Sequence, residues 1–130
     1  MILAHGGDNK MTNINSPYES ILNSVKKMSG IDKSDNAFNP DYIIFINTMF
    51  LFLNQMGLGP EVPFKITGPN EQWSDFIGTE IDLEPVKTYM SLKVKMAFDP
   101  PASSIVCEQI NSLIKETEWR LVEQVETFRS

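Results

Sequence analysis

The chain has one cysteine, Cys107, and one histidine, His5. A lone cysteine excludes an intrachain disulfide, and the pair falls short of the ligand set a zinc cluster needs. Positive charge is scarce as well. Eleven lysines and arginines stand against 17 aspartates and glutamates, a formal net charge of -6. That balance argues against a DNA groove-binder, whose affinity comes largely from basic side chains neutralising phosphates. No long apolar run is present. The most apolar stretch, Tyr42 to Leu53, is too short to span a bilayer and is interrupted by Asn47 and Thr48. The opening Met1-Ile2-Leu3-Ala4 lacks the basic flank and full apolar core of a secretory signal. There is no glycine-rich phosphate loop with its lysine and no cysteine-histidine cluster at metal spacing. The expectation is a cytoplasm-made, soluble protein with no metal, cofactor or membrane association, and not an enzyme.

What is present suits one globular domain. The 130 residues are 42% hydrophobic and 22% charged, a balance that buries a modest core without disulfides or metals. Residues 1–15 read as a polar N-terminal extension carrying Gly6 and Gly7, and residues 16–130 as a single helical domain.

Four helices are predicted, near 17–29, 41–56, 83–98 and 103–128. Ser16 with Pro17 and Glu19 is a capping signature for the first. Tyr18, Ile21, Leu22, Val25 and Met28 follow on one face, and Gly30 suits a left-handed terminator. Asn39, Pro40 and Asp41 open the second in the same way, and Gly57 stops it. That helix is apolar nearly all round: Tyr42, Phe45, Ile46, Met49, Phe50 and Leu53 cover one wide face, while Ile44 and Leu51 sit among the polar residues opposite. Such a helix is buried on more than one side. The third accepts Pro85 in its first turn and ends at Asp99-Pro100-Pro101. The fourth carries Val106, Ile110, Leu113, Ile114, Leu121, Val125 and Phe128 as one stripe. Between helices two and three, Gly57, Gly59, Pro60, Pro63, Gly68 and Pro69 break the helical pattern. Phe64-Lys65-Ile66-Thr67 alternates like a short strand that could turn back around Trp73. The fold expectation is therefore all-α, a four-helix domain with an extended loop or short β-hairpin inserted between helices two and three.

Apolar residues in exposed-looking places point to association. Phe64, Ile66, Trp73 and Phe76 lie in an insertion short of local core and are expected to bury area against a neighbouring subunit. Ile44 and Leu51 make a second face on helix two, either a subunit contact or the far side of a fully enclosed helix. Trp119 and Val122 project away from the stripe of helix four, beside Glu108, Lys115 and Glu126. There they form a partner-docking hot spot, unless the domain folds back over them. Lys93 falls among Val86, Tyr89, Met90 and Ala97; it snorkels to water or pairs with a carboxylate of an adjacent chain. A Cys107 nucleophile with His5 as base is the catalytic alternative, weighed against a small core cysteine. A helical regulatory module docking through Trp119 is another.

Several stretches, in order, carry a resemblance: Ser16-Pro17-Tyr18-Glu19 through Lys26-Lys27-Met28 and Gly30-Ile31; Phe38-Asn39-Pro40-Asp41; Leu53-Asn54-Gln55-Met56-Gly57 then Gly59-Pro60; Trp73-Ser74-Asp75-Phe76; Val86-Lys87-Thr88-Tyr89; Phe98-Asp99-Pro100-Pro101; and Glu118-Trp119-Arg120-Leu121. Over roughly Ser16 to Phe128 the chain resembles the head-tail connector, or head completion adaptor, proteins of long-tailed double-stranded DNA phages. The resemblance implies a structural virion protein made in the host cytoplasm and located in the neck. It implies a homo-oligomeric ring, usually a dodecamer, that joins the portal protein to the next head-closure or tail completion protein. Double-stranded DNA would pass through the ring without sequence-specific binding. It implies portal docking toward the C-terminal end, which with the residue reading above puts docking on Trp119, Val122, Val125 and Phe128. That same residue reading puts the subunit interface on Ile44, Leu51, Phe64, Ile66, Trp73, Phe76 and Lys93.

Overall fold

The computed structural model describes residues 16–77 and 83–129. Within them the chain forms five helices: α1, Ile21–Met28; α2, Asn39–Gln55; α3, Trp73–Ile77; α4, Glu84–Phe98; and α5, Ser104–Arg129. The polar extension 1–15 and residues 78–82, including the expected helix start near Asp82, lie outside the described residues.

The first helix begins later than the capping signature suggests. Ser20, not Ser16, is its cap, and the Ser20 hydroxyl accepts from the Asn23 amide at 3.2 Å. Ser16 instead accepts from the Tyr18 amide, and residues 17–20 form a turn. The reason lies across the chain, where residues 71–74 compete for the same backbone. Ile21 N donates to Glu71 O at 2.9 Å, Trp73 N to Glu19 O at 3.3 Å, and Ser74 N to Pro17 O at 2.7 Å. One isolated antiparallel bridge, Ser20 with Gln72, results.

Both glycine stops fall where expected. Gly30 at φ +84° and Gly57 at φ +96° take the left-handed conformation that costs other residues dearly. At each, the glycine amide and the next amide reach back to the last turn: Gly30 to Lys27 O and Ile31 to Lys26 O, then Gly57 to Asn54 O and Leu58 to Leu53 O. These paired bonds satisfy carbonyls that a helix end leaves orphaned.

The insertion is an extended loop ending in α3, and among the described residues it forms no hairpin or sheet. The strand-like alternation is real, since Ile66 is buried while Lys65 and Thr67 are exposed. Its hydrogen-bonding partner is a side chain and not a second strand. Asn47 Nδ2 donates to Ile66 O at 3.0 Å, and Ile66 N donates to Asn47 Oδ1 at 2.8 Å. One turn-pair further along α2, Asn54 Nδ2 donates to Pro60 O and Glu61 O. Two asparagines seven residues apart thus tie the loop to one face of α2 and meet the backbone's demand for partners. Gly59 completes the seat: at φ +89°, an added Cβ would lie 2.4 Å from Phe76 Cε1.

The core gathers Ile21, Leu22 and Val25 of α1 with the inner face of α2, Val86, Met90 and Val94 of α4, and Leu121 of α5. α5 packs mainly on α4. Its 26 residues reach roughly 40 Å at about 1.5 Å per residue, longer than any element it packs against.

Candidate functional site

The aromatic residues of the insertion are not left for a neighbour to cover. Trp73 is 0% exposed, and Ile66 and Phe76 are buried with it. The Trp73 indole N–H donates to Ser24 Oγ at 2.8 Å, so its one polar atom is satisfied inside the chain. Phe50 of α2 meets Phe76 at 4.7 Å and Phe64 at 5.2 Å between ring centroids. Ile66, Trp73 and Phe76 are therefore already removed from water by their own chain. Phe64 is half-buried in the same cluster.

Two lysines that sequence reasoning did not single out support this core. Lys26 is only 1% exposed. Its ammonium donates to Asp35 O at 2.7 Å, Asn39 Oδ1 at 2.8 Å and Lys33 O at 3.2 Å, which pins the loop between α1 and α2. Asn39 is consequently not the cap of α2; it is the first helical residue, its side chain bound to Lys26 and Asn36. Lys87 on α4 is equally buried, 5.7 Å over the Trp73 ring, and donates to Ser16 O with Glu19 at 3.5 Å. Burial pushes its pKa down, and the Glu19 carboxylate opposes that shift. The available signal was positional: Lys26 lies four residues after Leu22 and next to Val25, on the apolar side of α1.

Besides Tyr18, Met28, Phe38, Phe52 and Phe98, the large apolar residues that stay exposed fall on three surfaces. The first is the outer side of α2. Ile44 is 67% exposed, and Leu51 is exposed beside the insertion residue Val62. Asn47, Thr48, Leu51, Val62, Pro63 and Lys65 line a groove there of about 410 Å³. From Tyr42 to Pro60 the chain holds no charged residue, so this surface is neutral except for Lys65 at its edge.

The second surface is the start of α5. Ile114, Thr117, Leu121 and Val125 pack inward, so Val125 is part of the core of its own chain. Towards the N-terminus the stripe runs off the domain: Ile110 is half-buried, Leu113 is 45% exposed, and Val106 and Ile105 are bare. Ser103 Oγ accepts from the Val106 amide and caps this end. From Pro100 to Ile114 the only charge is Glu108.

The third surface holds Trp119, 63% exposed, with Val122. Both stand off the core stripe, as expected, among Lys115, Glu116, Glu123 and Glu126. Phe128 belongs to α5, but its side chain lies outside the described residues. Lys93 is half-buried with its ammonium 5.9 Å over the Tyr89 ring, in a cleft between α4 and α5 that also takes Lys115 and Glu118. Its company is within its own chain. Burial raises the Tyr89 hydroxyl well above its usual pKa, and the Glu118 carboxylate hydrogen-bonded to it adds to the rise.

Chemistry of the catalytic kind does not converge on any hollow described here. One of about 570 Å³ between α1 and the following loop mixes Glu19 and Asp32 with Lys27 and Lys33 and contains neither cysteine nor histidine. Cys107 is half-buried and its thiol donates to Pro101 O; His5, its suggested base, lies outside the described residues. Among the described residues no three metal-binding side chains gather, and no helix is long and apolar enough to cross a membrane.

The family model for phage connector proteins matches residues 21–127, most of the chain. No curated protein and no solved structure matches it.

Proposed function

The chain belongs to the phage connector protein family, and on that premise we propose that it is a ring-forming adaptor of the virion neck. It joins the portal protein to the next head-closure or tail completion protein and surrounds the channel through which DNA passes. The observation that carries this reading is the set of exposed apolar surfaces on separate elements. A ring is closed by heterologous contacts, so each subunit needs two different adhesive faces, and an adaptor needs another for what lies above or below. The neutral face around Ile44 and Leu51 supplies a subunit contact. Trp119 and Val122, rimmed by charge, supply docking to the portal, in the pattern of an aromatic anchor within a polar rim. A net charge of -6 suits a passage where phosphates must not be captured.

Deletion of the chain from its phage tests the reading. The expected result is DNA-filled heads without tails, with labelled protein restored to the neck on complementation. Normal tailed virions lacking the protein would overturn it. Trp119→Ala should reproduce the deletion phenotype while the purified variant keeps its fold and its ring.

A further inference from the structure

The two neutral surfaces fit each other better than either fits the third. We propose that the groove of α2, between Leu51 and Val62, receives the first turns of α5 from a second copy of this chain, through Val106, Ile110 and Leu113. The inference rests on the ring reading above and names the contact that would close the ring.

Three observations converge. Val106, Ile110 and Leu113 are spaced i, i+4, i+7, the anchor pattern of a helix laid into an apolar groove, and their own domain leaves them bare or half-covered. The groove is lined by Leu51, Val62 and Pro63 with the small polar Asn47 and Thr48 and the exposed Lys65. It is open to solvent and not an enclosed ligand cavity. Third is charge. In a chain with 22% charged residues, α2 from Tyr42 onward has none and the α5 start has only Glu108, which lies on the opposite side of α5 from Val106 and Leu113 by helical spacing. Joining these two brings a single charged groove residue, the exposed Lys65, to the contact, and depletion of charge marks the centre of a protein interface. Seating the Trp119 surface in the same groove would bring Lys115, Glu116 and Glu123 against neutral walls at a desolvation cost. Because the groove and the α5 start are different surfaces of one chain, the contact is heterologous, and repetition around an axis gives a ring.

The test uses the full chain. Leu51→Asp alters only the groove and Leu113→Asp only the helix; both side chains are exposed, and Val62→Asp, at an exposed lining residue, repeats the groove arm should Leu51→Asp fail to fold. By native mass measurement each variant alone should lose the oligomer, with self-association weakened roughly tenfold or more. An equimolar mixture should form heterodimers and nothing larger, since each variant keeps one intact face for the other. Rings formed undiminished by either variant would overturn this pairing and leave the ring reading standing. Loss of assembly in Leu51→Asp alone, with Leu113→Asp unaffected, would overturn it in favour of groove-to-groove contact. A wild-type chain that is monomeric at every concentration, alone and with portal, would remove the ring reading as well.

Discussion

Trp73 and Trp119 stand at opposite extremes in one small domain. Trp73 is fully enclosed and hydrogen-bonded through its indole, while Trp119 is 63% exposed on a charged helix face. The loop that carries Trp73 has almost no regular structure, yet it is tied down by Asn47, Asn54, Ser24 and the bridge to residues 17–21. The helix that carries Trp119 is the longest of the described elements, yet much of its surface is exposed. Regular secondary structure and burial are thus uncoupled here. An irregular segment is held in place when the elements around it supply partners for its backbone, and a regular helix that outruns its neighbours leaves apolar residues for another molecule.

This contrast can be broken or sharpened by substitution. The largest effect is expected from Trp73→Ala, which empties a well-packed site and removes the indole hydrogen bond to Ser24; a loss of about 3–5 kcal/mol is the usual range for such a truncation, read by denaturant unfolding. If stability is nearly unchanged, the loop aromatics are not core. Asn47→Ala comes next. It leaves the Ile66 amide and carbonyl without partners, at a cost of about 1–3 kcal/mol, and the Ile66 amide should exchange with solvent much faster while α2 amides stay protected. Protection of Ile66 in the variant would mean that the loop holds itself. The smallest effect is expected from Trp119→Ala, within about 0.5 kcal/mol of wild type in the isolated domain. A sharp fall in melting temperature would show that Trp119 belongs to the fold.

Alkaline pH offers a separate probe of the α4–α5 seam. The folded-state pKa of Tyr89 is raised, so the unfolded chain loses this proton first. The stabilisation is fully present below about pH 10, the unfolded value, and is lost as pH climbs toward the folded value. Lys87 acts in the opposite sense. Its folded pKa is lowered, so its cost is present below that pKa and is relieved as pH rises through the unfolded value near 10.4. Tyr89→Phe should flatten the alkaline decline, measured as unfolding midpoint against pH; an unchanged profile would place the decline elsewhere.

Much of the fold is legible in the sequence because its signals are local. Gly30 and Gly57 mark helix ends by conformational freedom, Pro85 and Pro100-Pro101 by a missing donor, and the helix periodicity follows from packing on one side. The misreadings have a common cause, since they concern what lies across from a residue. Ser16 has the form of a cap, but the 71–74 segment claims the neighbouring backbone and moves the cap to Ser20. Phe64 to Thr67 alternates like a strand, but Asn47 takes the place of its partner strand. Val106 and Leu113 continue the α5 stripe, but periodicity does not tell how far the neighbouring helix extends. Trp119 stands out in the sequence because it sits on an otherwise polar helix face, whereas an α2 apolar nearly all round left the exposure of Ile44 and Leu51 open.

Residue-resolved hydroxyl-radical footprinting of the wild-type chain, free and within assembled necks, tests the central claim most directly. The account predicts that Trp73 resists labelling in both states. Leu51, Leu113 and Trp119 should be labelled in the free chain and protected in the neck. Strong labelling of Trp73 in the free chain, or equal labelling of Leu51, Leu113 and Trp119 in the two states, would contradict it.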